Sequence, residues 1–245
     1  HMSAWWDGLK AQFVLNFITD NRWKSIVSGL GITLQITIFA VLVGIVLGAL
    51  VATVRSTWDK SGGEMGRRKR PAYYVLKVLN VICKIYLTVI RGTPVVVQLM
   101  ISYFIIFAAS KNAVAVAIFA FGLNSAAYVA EIIRGGIMSI DEGQFEAGRS
   151  LGFNYPQTMI YIILPQVFKA VLPALLNEFI TLVKETSVAG YVGIMDLTKA
   201  GDVIRSRTYS AFMPLFAVAG IYLVIVIILE TVFGRVERRL RQNER

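Results

Sequence analysis

Residues 25–54 read SIVSGLGITLQITIFAVLVGIVLGALVATV, with no Asp, Glu, Lys or Arg from Ser25 to Val54. Crossing the hydrocarbon core of a bilayer takes roughly 20 apolar residues as a helix, so this run is long enough with residues to spare. Further charge-free runs cover Gly92–Ser110, Asn112–Ala130 and Thr208–Leu229. Backbone polar groups in lipid must be paired within a helix or a closed barrel. Barrel strands alternate apolar and polar residues over about 10 positions, whereas Val41–Val54 is apolar on all sides. The runs therefore predict helices. Gly44 and Gly48 lie four apart, a spacing that lets two membrane helices approach closely. Ordinary membrane-helix composition accounts for them equally well.

Composition supports the same class. The chain has 245 residues, 56% of them hydrophobic and 16% charged, against about 25% charged in a soluble domain. Its mean hydropathy is +0.63. His1 and Met2, before Ser3, read as a cloning scar. Beyond His1 there is no histidine, and the one cysteine is Cys83. That excludes a disulfide within the chain and argues against a His/Cys metal site, so no metal is expected. Ala4–Lys24 is amphipathic and charged, unlike the apolar core of a cleavable signal peptide.

The net charge of +10 is concentrated in two places. One holds Arg55, Lys60, Arg67, Arg68, Lys69 and Arg70; the other holds Arg235, Arg238, Arg239, Arg241 and Arg245. Excess Lys and Arg mark cytoplasmic loops, and juxtamembrane placement fits anionic lipid rather than nucleic acid. The expectation is an all-α membrane protein with the N-terminus outside and the C-terminus in the cytosol. Its transmembrane helices number about five, near 26–54, 74–108, 112–138, 159–187 and 210–233, in a single domain over 1–245. Pro165 and Pro173 interrupt the fourth, a break tolerated where a cavity or neighbouring protein re-satisfies the backbone. Segment 61–71 reads as a flexible loop, and the basic stretch 55–71 has no assigned role. A short helix is expected around Met195–Arg205.

Residues 139–165 read SIDEGQFEAGRSLGFNYPQTMIYIILP. Ser139 with Glu142 three later makes a capping box. Phe145, Gly148 and Leu151 share one face of the helix that follows. Gly152 ends it in the left-handed conformation, and Asn154 caps a second helix whose first turn admits Pro156. The coupling segment 139–158 is thus a helix–turn–helix on the cytosolic side, too short and polar to span. Lying on the lipid surface is its plain structural alternative.

This segment resembles the cytoplasmic "EAA" loop of ABC-importer permeases. Glu146, Ala147, Gly148, Gly152, Ile162, Leu164 and Pro165 match its spacing, the one departure being Gly148 where the pattern has alanine. Glycine costs about 1 kcal/mol against alanine inside a helix, so a looser coupling helix is expected. Arg91–Gln98 (RGTPVVVQ), Asn124–Gly136, Asp141–Gln144 and Lys184–Ser187 resemble the polar amino-acid branch of that family.

The resemblance implies a permease subunit of an ATP-driven importer in the bacterial cytoplasmic membrane, working by alternating access. Implied partners are two ATP-binding cassette subunits, an extracytoplasmic amino-acid-binding protein and a second permease chain, identical or not. ATP and Mg would sit on the ATPase, and this chain would bind no cofactor. It carries no phosphate-binding G-x-x-x-x-G-K-[ST] loop, so it is not expected to be an enzyme. The residues assigned to ATPase coupling are Glu142, Phe145, Glu146, Ala147, Gly148, Leu151 and Gly152.

Ionisable groups within a bilayer are costly and point to function. The candidate substrate path comprises Arg91, Thr93, Gln98, Asn124, Tyr128, Glu131, Glu178, Lys184 and Glu185. Asn124, Tyr128 and Glu131 share a helical face. That face suits a polar path for a zwitterion, or a structural seam with Glu131 paired to Arg91 or Arg134. Both readings stay open, as do an outer gate and a membrane boundary for Lys184 and Glu185. Arg134 reads as a topology anchor, and Phe104, Phe107, Phe119 and Phe121 as lipid or packing surface. Three competing functions are weaker. A secondary carrier or channel typically shows two related halves, and none is evident. An intramembrane enzyme built on Ser187 or Cys83 would lack a histidine base. A permease for methionine or a metal chelate is opposed only by the two amino-acid-branch stretches.

Overall fold

The computed structural model describes residues 2–67 and 71–242. His1, and Arg68, Lys69, Arg70 and Arg245 of the basic clusters, lie outside the described residues. Among the described residues the structure is helical, with ten α-helices. These are α1 Met2–Phe13, α2 Trp23–Arg67, α3 Pro71–Gly92, α4 Val95–Ile101, α5 Ala113–Ser139, α6 Glu142–Ser150, α7 Tyr155–Thr158, α8 Leu164–Glu185, α9 Leu197–Thr208 and α10 Phe212–Gln242. Five helical stretches are long and apolar enough to cross a membrane: Trp23–Arg67, Pro71–Gly92, Ala113–Ser139, Tyr155–Val192 and Phe212–Leu240.

Three expectations change. The stretch 74–108 is not one helix, because α3 stops at Gly92 and α4 starts at Val95. Pro94 has no N–H to donate and pushes the residue before it out of the helical region. The segment 61–71 is not a loop as far as it is described, since α2 stays helical to Arg67. Its glycines are held by packing: Gly62 lies against the Trp58 ring and Gly66 against Tyr73, while Trp58 and Tyr73 stack at 5.6 Å. Tertiary contacts of this kind outweigh poor propensity. The short helix expected around Met195–Arg205 is α9, shifted to Leu197–Thr208 because Asp196 caps it.

The chain divides into two compact units. The first takes residues up to Phe39, Val95–Phe121 and Ile180–Val232. Its core joins Ile26 of α2, Leu197, Ala200 and Ile204 of α9, and Val218 of α10. Buried polar groups in it are paired: the Leu197 N–H donates to Thr33 Oγ1 at 3.1 Å, and the Thr37 and Thr186 hydroxyls meet at 3.4 Å. Asn16, fully buried, donates to the Gln12 carbonyl at 2.8 Å and accepts from the Thr208 hydroxyl at 2.8 Å. The Asp196 carboxylate accepts from the Lys199 N–H at 3.0 Å and the Thr198 N–H at 3.4 Å. Burial pushes that carboxyl up to about 6 against these bonds.

The second unit takes Ala40–Pro94, Gly122–Phe179 and the chain from Phe233. Gly44 and Gly48 bring α2 against α5, which decides between the two readings of that pair. A Cβ on Gly44 would stand 2.8 Å from Ser125 Oγ, and one on Gly48 would stand 2.7 Å from Val129 Cγ1 and 2.9 Å from the Ala126 carbonyl. Ala127 and Ala130 of α5 pack with Leu87 of α3, and the Tyr86 hydroxyl donates to the Leu123 carbonyl at 2.5 Å. The cluster that matters for the site joins Ile137 of α5, Phe145 of α6, and Ile163, Val167 and Val171 around the start of α8. A widened turn over Met159–Ile163 carries α7 into α8. It stands immediately before Pro165, whose ring would crowd the carbonyl four residues back in a regular helix.

Two outcomes follow from this packing. Overpacking a helix contact costs about 1–3 kcal/mol, and each kcal/mol lowers Tm by about 2–4 °C in a chain of this size. Gly48→Leu should therefore lower the unfolding temperature in detergent by about 2 °C or more. Gly31→Leu, where a Cβ meets nothing within 4 Å, should leave it unchanged. For Asp196, the folded protein holds the proton more tightly than the unfolded chain does, whose ordinary value is 3.8. Its contribution to stability therefore falls as pH rises from about 4 to about 6 and is level above. The Tm of Asp196→Asn minus that of the parent should rise across this window and then plateau; a difference independent of pH contradicts the burial argument.

Candidate functional site

The coupling segment is built by local chemistry almost residue by residue. Ser139 does not cap α6: it is still the last residue of α5, and its hydroxyl donates to the Gly136 carbonyl at 2.8 Å. Asp141 takes that place, accepting from the Gly143 N–H at 2.7 Å. The helix ends as a paired-carbonyl stop, with the Phe153 N–H on the Gly148 carbonyl and the Gly152 N–H on the Arg149 carbonyl, both at 3.0 Å. Gly152 sits at φ +81°, the left-handed value that glycine reaches without strain. Asn154 and Gln157 then exchange side-chain and backbone bonds in a capping box, at 3.0 and 2.9 Å, with Pro156 inside the first turn.

The inward face differs from the expected one in two ways. Phe145 and Gly148 are buried, but Leu151 is 70% exposed. It lies in the turn after α6, where the helical phase is lost, so it points away from Phe145. Gly148 does not loosen the helix either. A Cβ there would stand 2.6 Å from both Oγ1 and Cγ2 of Thr158, so glycine is what lets α6 lie tightly on α7. Glu142, Glu146, Ala147, Arg149 and Gly152 remain exposed. Together with Leu151 they form an outward rim, polar at one edge and apolar at the other.

Beside this rim runs the end of α2. Lys60 forms an ion pair with Glu142, and its ammonium stands 4.5 Å from the centre of the Phe145 ring. The preceding residue, Asp59, accepts from Arg134 of α5 at 3.1 Å. Arg134 also donates to Glu131 at 3.1 Å, and Glu131 lies 3.8 Å from Arg91 of α3. The Arg91 guanidinium is 5.7 Å from the centre of the Tyr128 ring. Glu131 is thus paired with both arginines considered for it, and Arg134 is part of a network rather than a lone anchor.

The remaining path residues fall into two groups. Asn124, buried on α5, and Glu178, which accepts from the Ser125 hydroxyl at 3.0 Å, belong with Arg91, Tyr128 and Glu131 in the second unit. Thr93 is also there, its hydroxyl donating to the Val89 carbonyl at 2.8 Å. Gln98, Lys184 and Glu185 belong to the first unit. There Lys184 lines a pocket of about 320 Å³ with Ser187, Thr198 and Tyr222. Asp59 and Lys60 were missed by the sequence reading. Their signal was the regular spacing of Arg55, Asp59 and Lys60 on a continuing helix, masked by the glycines that follow. Among the described residues no three His, Cys, Asp or Glu converge into a set that could hold a metal.

Known proteins match this architecture closely. The family described as the binding-protein-dependent transport system inner membrane component matches residues 71–242. The chain is 38% identical to the arginine transport system permease protein of Bacillus subtilis (strain 168) over 223 residues, covering 89% of this chain and 94% of that one. It is 33% identical to the glutamine transport system permease protein of Escherichia coli (strain K12), covering 89% and 95%. Among solved structures, an amino acid ABC transporter crystallised with histidines superposes with a TM-score of 0.77 at 36% identity, covering 91% of this chain and 98% of that one. Five membrane-crossing helices and these matches make it a multi-pass inner-membrane protein. The chain belongs to the family of binding-protein-dependent transport system inner membrane components, the permease subunits of ABC importers.

Proposed function

We propose that this permease carries a polar amino acid inward, driven by ATP hydrolysed on separate cytosolic subunits. The observation that carries the reading is the α6 rim. A short helix, capped at both ends and anchored by one buried aromatic, holds Glu146, Ala147 and Leu151 outward. A polar helix so tightly held, yet presenting an exposed leucine, suits a groove on a partner better than a lipid surface. The amino-acid substrate rests on the names of the relatives and on the mixed charges of Arg91, Glu131 and Glu178. A carboxylate and an ammonium can each find an opposite charge there.

In this reading the assembly has two permease chains, identical or not, two ATP-binding cassette subunits and an extracytoplasmic binding protein. ATP and Mg bind the ATPases, and this chain supplies neither nucleophile nor phosphate loop. The N-terminus lies outside and the basic C-terminal end of α10 in the cytosol, as the excess of Lys and Arg directs. Closure of the ATPases would push α6, and α6 would rock the spans, opening the path alternately to each side.

The test is co-purification with an ATP-binding cassette subunit from the same organism, followed by reconstitution in lipid with an amino-acid-binding protein. ATP hydrolysis should rise with one or a few members of an amino-acid panel; no response to any of them removes the import reading. Leu151→Asp places a charge in the docking rim, and desolvating it on contact should cost several kcal/mol. It should strip the ATPase from the permease during purification. Glu146→Ala should keep the complex but abolish substrate-stimulated transport, and normal uptake by that variant contradicts the coupling assignment.

A further inference from the structure

The basic stretch at the end of α2 has no part in the mechanism so far, yet it touches everything around it. Over the six residues from Arg55 to Lys60 each contact goes to a different neighbour, and Arg55 donates to Asn80 of α3 at 2.5 Å. Trp58 stacks on Tyr73 at the start of α3. Asp59 holds Arg134 of α5, and Lys60 holds Glu142 and Phe145 of α6. The charges alternate without a gap. Arg91, Glu131, Arg134 and Asp59 form a chain of ion pairs at 3.8, 3.1 and 3.1 Å. Lys60, covalently next to Asp59, begins a second link that ends on the docking helix.

We infer that Asp59 and Lys60 are positioning residues that transmit movement between the charged path on α3 and α5 and the docking helix α6. This rests on the proposed import function, since it names what connects the two ends of that mechanism. The physical case has three parts. Two neighbouring residues of a regular helix point about 100° apart and move as one body, so a shift of Arg134 carried by Asp59 displaces Lys60. The Lys60 side chain is only 11% exposed. Its partner Glu142 is 68% exposed, and a pair open to water on one side adds little net stability, so what it supplies is fixed geometry. The ammonium over the Phe145 ring also ties the charged link to the one aromatic that anchors α6, so Lys60 cannot move without dragging that anchor.

The test uses the intact complex in lipid with its ATPase and binding protein, read as the ratio of substrate-stimulated to basal ATP hydrolysis. Lys60→Glu sets a carboxylate against Glu142, and this ratio should fall about fivefold or more, the size of an ordinary coupling energy. The exchanged pair, Lys60→Glu with Glu142→Lys, should recover the hold on α6, because the bond is restored with reversed sign; the ratio should recover in part, since Glu142 is itself on the docking rim. Asp59→Asn should lower the ratio in the same direction. Deuterium uptake over residues 142–150 in the permease alone supplies a readout that needs no substrate. It should rise in Lys60→Glu and return in the exchanged pair. An unchanged ratio in Lys60→Glu overturns the inference, and so does an exchanged pair as impaired as the single variant in both readouts. Should Lys60→Glu fail to assemble, recovery of assembly by the exchanged pair supports the link and its absence rejects it. A parent complex deaf to every amino acid would sink the import reading instead, and the deuterium comparison would still decide whether Lys60 holds α6.

Discussion

Every break in a membrane helix has to be compensated, because hydrocarbon offers no hydrogen bonds to a stranded N–H or carbonyl. That constraint explains where this chain is regular and where it is not. Most of the charge-free length is regular helix. Irregular backbone includes the Thr93–Pro94 break after α3, the widened turns over Ser102–Ile106 and Met159–Ile163, and the approach to α9. At two of them polar side chains bond nearby backbone groups, Thr93 to the Val89 carbonyl and Asp196 to the Lys199 N–H.

The candidate coupling segment shows the same logic in a short polar helix. A helix as short as α6 is not stable alone, and it exists because both ends are chemically closed and one face is seated. Asp141 satisfies its first turn and Gly152 its last; Phe145 seats it among Ile137, Ile163 and Val167. Gly148 matters by what it lacks, since any side chain there would strike Thr158. Rigid support beneath and an open rim above are what a transmitted push requires.

The charged groups form a hierarchy of exposure. Surface ion pairs are worth little, and Lys199, Asp202 and Arg205 on α9 are of that kind. The chain from Arg91 to Glu142 differs in joining four helices in series. Its value lies in geometry more than in stability.

Much of this was legible in the residues themselves. Long charge-free runs specify helices because lipid permits nothing else for a single strand, and their number follows from their length. The turn at Gly152 and the cap at Asn154 were equally plain, since short-range rules govern them. The N-cap of α6 was misplaced by two residues, because Ser139 and Asp141 are both good caps and only the true end of α5 chooses between them. The continuation of α2 through Gly62, Gly63 and Gly66 was unreadable, because the Trp58–Tyr73 stack that supports it joins residues on two helices. The same holds for Leu151 turning outward and for Glu131 binding two arginines at once. Sequence alone determined that the protein spans a membrane as helices and about how many spans it has, because those choices depend on the composition of runs along the chain. Which charges meet, which glycine is a contact, and which face of the docking helix stays open were decided by tertiary structure, because they depend on the distance between helices that only packing sets.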